Sequence, residues 1–281
     1  MERELWFADR SERGKLRLVG EQRAWFLDQI LTQSFEDMAP GDSRDSAFLT
    51  AHGRMKAYME IVATEDALLM HFEPELRQSL PEELGRYVFA TRVDIQDVTD
   101  DFGLVLVVGP GWRDAIASAA PDAVVHPTVS IGPDGGYAWV PRSAVEAAAE
   151  GLESVGARRA SEQELEEMRI AHGIPRWGRE MDDKTFPQEA GIDAHAVRFD
   201  KGCYLGQEAM AKIHFRGKVN RRLARLTAPG PLAQGAELKV DDVKVGSVTS
   251  AAGPNALALV RYTVAMGDEV DAGGITATVA S

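Results

Sequence analysis

The only cysteine of the chain, Cys203, lies in residues 198–218, "RFDKGCYLGQEAMAKIHFRGK", between Gly202 and Gly206 and among cations. The thiolate is the reactive form of cysteine, and a nearby Lys or Arg, or a helix N-terminus, favours it. Lys201 stands two residues before Cys203, and "GQEAMAKI" reads as a helix opening just after it. The flanking glycines allow a sharp turn that presents the side chain. Cys203 and Lys201 are therefore the candidate catalytic residues. The competing reading is a buried cysteine acting as a small hydrophobe. A single cysteine closes no internal disulfide, and alone it completes no zinc or iron–sulfur site, so no metal is expected. None of the six histidines has a spacing that implicates it in catalysis.

A second candidate stretch is "GIPRWGREMDDKTFPQEAGI", residues 173–192, which is too rich in Gly, Pro and Asp for regular structure. Long loops in compact proteins are usually functional or disordered, and Trp177, Phe186 and Phe199 argue against disorder. It carries two carboxylates, Glu180 and Glu189. A carboxylate that accepts two hydrogen bonds can hold a planar heterocycle with adjacent N–H donors, such as a pterin. Trp177 offers a face to stack on it. The plainer reading is of solvated carboxylates and a core tryptophan.

The elements that position these stretches follow from periodicity. Residues 15–19 read as a strand, and Trp25, Phe26, Ile30 and Leu31 fall at helical spacing after it. His52-Gly53 marks the turn of a hairpin within residues 40–62. Strands are expected at 67–72, 92–98 and 104–109, and helices at 74–87, 111–119 and 143–157. Ser161 with Glu164 forms a capping box that starts a helix running to about His172. Strands and helices alternate with hairpins and no strict βαβ rhythm, which predicts an α+β fold. From about 218, short β-like runs separated by glycine turns predict a small barrel. The expected domains are 1–217 and 218–281.

The net charge of −13 disfavours direct nucleic-acid binding, which needs phosphate neutralisation. Between Arg198 and Arg225, however, eight Lys/Arg face two acids, a patch that can steer a small anion. No apolar run is long enough for a membrane span. The charged N-terminus reads as no signal peptide, and the lone cysteine makes a cytoplasmic location the simplest expectation.

Taken together, "KGCYLGQE" (201–208), "GIPRWGRE" (173–180) and "PQEAGI" (187–192) resemble the YgfZ-type folate-binding proteins. These are related to the aminomethyltransferase, or T-protein, of the glycine cleavage system. "LVGEQRAWFLDQILTQ", the "FLTAHGRMKAYMEIV" hairpin and the C-terminal barrel also look like that superfamily. The resemblance implies two α/β units around a central folate cavity, with a β-barrel behind them. It implies tetrahydrofolate as cofactor and iron–sulfur client or cluster-assembly proteins as partners, among them radical enzymes that modify tRNA. The family's cysteine matches Cys203. The pterin carboxylate falls on Glu180, with Glu189 the second choice, and Trp177, Tyr204, Gln207 and Arg216 complete the expected folate contacts.

Two departures matter. Aminomethyltransferases carry an Asp pair in the hairpin, and Ala57 and Tyr58 stand at the matching positions here. Aminomethyl transfer is therefore disfavoured for want of a base. The usual "RIEAG" is "RIAHG", with Ala171 replacing a Glu. An accessory protein with a reactive Cys203 is the expected function. The alternatives are a folate-dependent one-carbon transferase with an unrecognised carboxylate, and a non-catalytic adaptor.

Overall fold

The computed structural model describes residues 4–132, 134–217 and 219–280, with the Arg216 side chain outside the described residues. The chain opens with β1 (Trp6–Asp9), β2 (Gly14–Val19) and α1 (Arg23–Ile30). The hairpin β3 (Ser43–Leu49) and β4 (Met55–Ala63) follows, then β5 (Ala67–Phe72), α2 (Ser79–Gly85) and β6 (Asp94–Asp97). Next come β7 (Phe102–Val108), α3 (Trp112–Ala119), β8 (Val124–Pro127), β9 (Gly135–Pro141), α4 (Val145–Ser154), β10 (Arg158–Arg159) and α5 (Glu162–Ala171). One-turn helices α6 (Pro187–Ala190) and α7 (Asp193–Ala196) interrupt the long loop, and α8 (Gln207–Arg216) follows Cys203. The last strands are β11 (Arg221–Thr227), β12 (Glu237–Val240), β13 (Val243–Ala252), β14 (Asn255–Arg261), β15 (Glu269–Ala272) and β16 (Thr276–Ala280).

The strands form two five-stranded sheets, ordered β10-β1-β7-β9-β8 and β3-β4-β5-β2-β6, and a closed six-stranded barrel, β11-β14-β13-β12-β15-β16. The sheets pack face to face. Leu104, Leu106 and Trp139 of one share a core with Val62 and Leu69 of the other. Helices α3 and α4 cover the outer face of the first sheet through Trp112, Ile116, Ala148 and Leu152. Helices α1 and α2 and the 177–210 segment cover the outer face of the second. This layering explains β4, where only Lys56 escapes burial: a strand covered on both faces reads as a continuous apolar run.

The mixed α/β architecture with a C-terminal barrel is as expected from the sequence. Strands β1, β8, β9 and β10 lie outside the sequence reading. Strands β1, β8 and β10 have four residues or fewer, and the longer β9, Gly135–Pro141, lies between β7 and β8 and opens on two glycines that weaken its strand signal. The expected helix over 74–87 is a 3-10 turn, Pro74–Leu76, and then α2. The capping box at Ser161 and Glu164 is formed in both directions. No helix among the described residues is long and apolar enough to cross a membrane.

Candidate functional site

Cys203 is exposed, in an irregular turn three residues before the Gly206 cap of α8. The turn is fixed by a close backbone approach. A Cβ on Gly206 would lie 2.5 Å from the Thr50 carbonyl oxygen, and one on Gly53 would lie 2.9 Å from Ala209 Cβ. Both glycines hold φ near +80°, so the β3–β4 hairpin tip and the cysteine loop meet through the two residues able to do so. Tyr204 anchors the turn from inside. Its ring is buried, its hydroxyl has no hydrogen-bond partner, and burial pushes its pKa up to about 12.

Lys201 points inward. Its Nζ donates to the carbonyls of Leu31 (3.0 Å) and Gln33 (2.6 Å) and lies 3.7 Å from Asp28 Oδ1. Burial lowers its pKa to about 8. The expected partnership with the thiol thus gives way to one with the end of α1. Gln207 is the first residue of α8 and half-buried. The expectation for Arg216 falls on a side chain outside the described residues.

The two loop carboxylates are both buried and both saturated. Glu180 Oε2 accepts from Arg169 Nη1 (2.8 Å) and from the Arg176 amide (3.1 Å), and Oε1 accepts from Ser250 Oγ (2.6 Å). Arg169 also pairs with Glu166 and donates to Ser250. Instead of presenting a free acceptor, Glu180 bolts α5 and the 174–181 loop to the barrel strand β13. Glu189 accepts from the Phe186 amide, from Arg221 Nε and Nη2 at 3.1 Å, and from Arg54 Nη1 at 3.3 Å. It ties α6 to β11 and to the hairpin. Trp177 is buried.

A cavity of about 640 Å³ opens where β11, the end of α5, the α6–α7 segment and the sheets meet. Its walls include Tyr58, Ser130, His172, Ile174, Ile192, His195, Arg222, Leu223, Arg225 and Met266. Tyr58, Ser130 and Pro175 also line a recess of about 40 Å³ that reaches Arg13, Tyr137, Arg169, Arg176 and Trp177. Of the basic segment, Arg222 and Arg225 reach this cavity. Arg198 and Lys212 pair instead with Asp200 and Glu208. Cys203 is not among the lining residues.

Behind Tyr58 lies a polar layer that sequence spacing does not reveal. Asp45 on β3 faces Glu60 on β4 across the ladder. His195 Nε2 is 3.4 Å from the Tyr58 hydroxyl and 3.7 Å from Asp45 Oδ2. Glu60 is buried, and neither carboxyl oxygen has a hydrogen-bond partner. Desolvation, reinforced by Asp45, raises its pKa to about 8, so at neutral pH it carries its proton. Desolvation raises Asp45 as well, against the pull of His195 and Tyr58.

Glu60, His71 and His126 bring three potential metal-ligand atoms within 4.8 Å of one another. Their hydrogen bonds describe a different arrangement. Arg13 Nε donates to His71 Nδ1 at 3.0 Å, which places the His71 proton on Nε2. That proton points at His126 Nε2, 3.3 Å away, and His126 Nδ1 donates to the Pro127 carbonyl at 3.0 Å. The chain is complete with both rings neutral, and the Arg13 guanidinium opposes a cation beside it. Burial accordingly drives both histidines down, His126 to about 4.

Comparison with known proteins shows what the chain and its fold are similar to. Residues 220–281 match the CAF17 C-terminal beta-barrel domain. A putative chloroplastic transferase of Arabidopsis thaliana, At1g60990, is 29% identical over 87% of this chain and 61% of its own length. The chain thus spans about three-fifths of that relative. The tRNA-modifying protein YgfZ of Colwellia psychrerythraea is 24% identical over 78% of this chain and 71% of its own length. The mitochondrial iron–sulfur cluster assembly factor IBA57 homolog of Phaeosphaeria nodorum is 25% identical over 75% of this chain and 52% of its own length. Among solved structures, the glycine cleavage system aminomethyltransferase T of Bartonella henselae superposes with a TM-score of 0.89. It covers 100% of this chain and 86% of that one at 19% identity, which establishes a shared fold. The chain is therefore similar to CAF17, YgfZ and IBA57 proteins, and it sets a C-terminal β-barrel on an aminomethyltransferase-like fold.

Proposed function

We propose that this protein binds a reduced folate in the central cavity and supports iron–sulfur cluster assembly or repair in client enzymes through the exposed thiol of Cys203. The observation that carries this reading is the pairing of a built cavity with a displayed thiol, both fixed by the 173–217 segment. A volume of about 640 Å³ is of the size that encloses a cofactor-sized ligand. Arg222 and Arg225 supply cations for a glutamyl tail, His172 adds a hydrogen-bonding ring, and Ile174, Ile192 and Leu223 supply an apolar wall for flat rings. Glu180 acts one step back in this reading, by fixing Arg169 and Arg176 at the inner recess beside Trp177. Glu189 and Tyr204 hold the loop that shapes the cavity and displays the thiol.

One relative is named an iron–sulfur cluster assembly factor and another a tRNA-modifying protein, which supports the iron–sulfur role and suggests tRNA-modifying enzymes as the clients to test. The compartment is a thiol-reducing one, the cytoplasm expected from the single cysteine or the organelles named for the relatives. Held in place, the folate would supply one-carbon or reducing chemistry, while the chain's own residues bind it, exclude water and present the thiol.

The test is calorimetric titration with tetrahydrofolate, paired with iron and sulfide analysis of a radical tRNA-modifying enzyme from cells lacking the protein. Wild type binds. Arg222→Ala binds at least about tenfold more weakly, the loss expected from one charge-assisted hydrogen bond. Cys203→Ser binds as wild type does but fails to restore client cluster content. Absence of tetrahydrofolate binding, or full restoration by Cys203→Ser, overturns the reading.

A further inference from the structure

The hairpin of this chain carries Ala57 and Tyr58 in place of a carboxylate pair, yet two carboxylates still stand on its cavity-facing side. Asp45 and Glu60 are directly opposed across β3 and β4, so both side chains leave the same face of the sheet. Tyr58 shares that face by the two-residue alternation of a strand. Helix α7 adds His195 from the far side of the loop. Its Nε2 sits within 3.4 Å of the Tyr58 hydroxyl and 3.7 Å of Asp45 Oδ2, and the two rings meet edge to face at 85°. Tyr58 and His195 both line the cavity, so a ligand atom that reaches the hydroxyl also reaches Nε2.

We propose that Tyr58 and His195 form an acid–base pair on the cavity wall, oriented by Asp45, for a ligand that exchanges a proton at a basic nitrogen or hydroxyl group. In the forward step the ligand's N–H or O–H bond breaks and its electron pair stays on the ligand. The proton bonds to His195 Nε2, and the Asp45 carboxylate compensates the imidazolium charge. The reverse step returns the proton, and no oxidant or reductant is involved. Asp45 is a positioning residue here. Behind it the buried Glu60 keeps its proton, because desolvation first and the facing Asp45 second disfavour its charged form. The other charged or titratable groups that face the pair are Arg13 beyond Glu60 and, across the cavity, His172, Arg222 and Arg225. This proposal adds a proton-transfer activity to the binding role described above and extends it toward one-carbon transfer.

Two measurements decide it. The first uses no ligand: 13C NMR of protein labelled at tyrosine Cζ, titrated upward in pH, with Tyr58→Phe used to assign the resonance. Tyr58 should remain un-ionised well above the ordinary tyrosine range in wild type and ionise at lower pH in Asp45→Asn. The second is calorimetry with tetrahydrofolate in buffers of different ionisation enthalpy, which counts protons exchanged on binding. Wild type should exchange a measurable fraction of a proton. Asp45→Asn and His195→Gln should at least halve it, and Asp45→Glu should recover it. A Tyr58 titration indifferent to Asp45, or proton exchange unchanged by the variants, overturns the proposal. A protein that binds no tetrahydrofolate overturns the folate reading instead, and the ligand-free titration then decides the acid–base pair alone.

Discussion

Between Lys201 and Cys203 the backbone turns from interior to solvent, and the two side chains part. The ammonium of Lys201 is spent on the carbonyls of Leu31 and Gln33, which a truncated side chain would leave unsatisfied at a cost of about 1–3 kcal/mol. Lys201→Met should therefore lower the denaturant midpoint while leaving the alkylation rate of Cys203 unchanged. A rate that falls with the lysine would restore it as an activator of the thiol. Cys203 itself should titrate with an aromatic disulfide reagent to one thiol per chain without denaturant, since it is exposed. A thiol released only on unfolding would remove the basis of the proposed function.

Elements in this protein are joined at a few buried polar points. Glu180 bridges α5, the following loop and β13, and removal of one partner of a buried ion pair costs about 3–5 kcal/mol. Arg169 retains Glu166, which puts Glu180→Ala at the low end, about 3 kcal/mol. The expected outcome is a large loss in denaturant stability, with tetrahydrofolate affinity altered only as far as the loop moves. A variant with native stability and abolished binding would make Glu180 a direct ligand contact after all. The hairpin tip is the second joint. Gly206→Ala adds left-handed strain of about 1–2 kcal/mol to a contact 2.5 Å from Thr50 O. It should destabilise the fold by more than Gly41→Ala, where a Cβ meets nothing within 4 Å; equal losses would show that the joint carries no weight.

At the scale of the molecule, the buried layer between the sheets sets how stability depends on pH. Glu60 ionises near 4.5 when unfolded but near 8 when folded. Between those values the native state holds the extra proton, so stability falls as pH rises. His71 and His126 are driven the other way, the latter from 6.5 to about 4. From about pH 6.5 downward the unfolded chain binds their protons first, and stability falls on acidification. Two histidines outweigh one glutamate below pH 6.5, and above it Glu60 acts with the histidines silent. The expected result is a stability maximum near pH 6.5, with limbs no steeper than about 1.4 kcal/mol per pH unit per group. Glu60→Gln should flatten the limb between pH 6.5 and 8 when denaturant midpoints are compared. An unchanged limb would mean that the carboxyl is ionised in the folded protein.

Much of this was legible in the chain. The helix at 162–171 announces itself by a capping box that needs only neighbours three residues apart. The barrel strands alternate with glycine turns at short range. The "KGCYLGQE" peptide carries its glycines and cysteine in view. Local chemistry suffices for such features because their partners are close in sequence. Partnership across the chain was not legible. Glu180 and Glu189 were read as open acceptors because nothing local reveals Ser250, Arg169 or Arg221, up to 70 residues away. Asp45, Tyr58 and His195 become neighbours through a strand pairing and a helix 137 residues beyond Tyr58. Sequence by itself determined the resemblance, the mixed α/β class with its C-terminal barrel, and the glycine-flanked setting of Cys203. Tertiary structure decided which charges are neutralised in the interior and which reach the cavity, because desolvation and Coulomb energy depend on distances that only the packed chain defines.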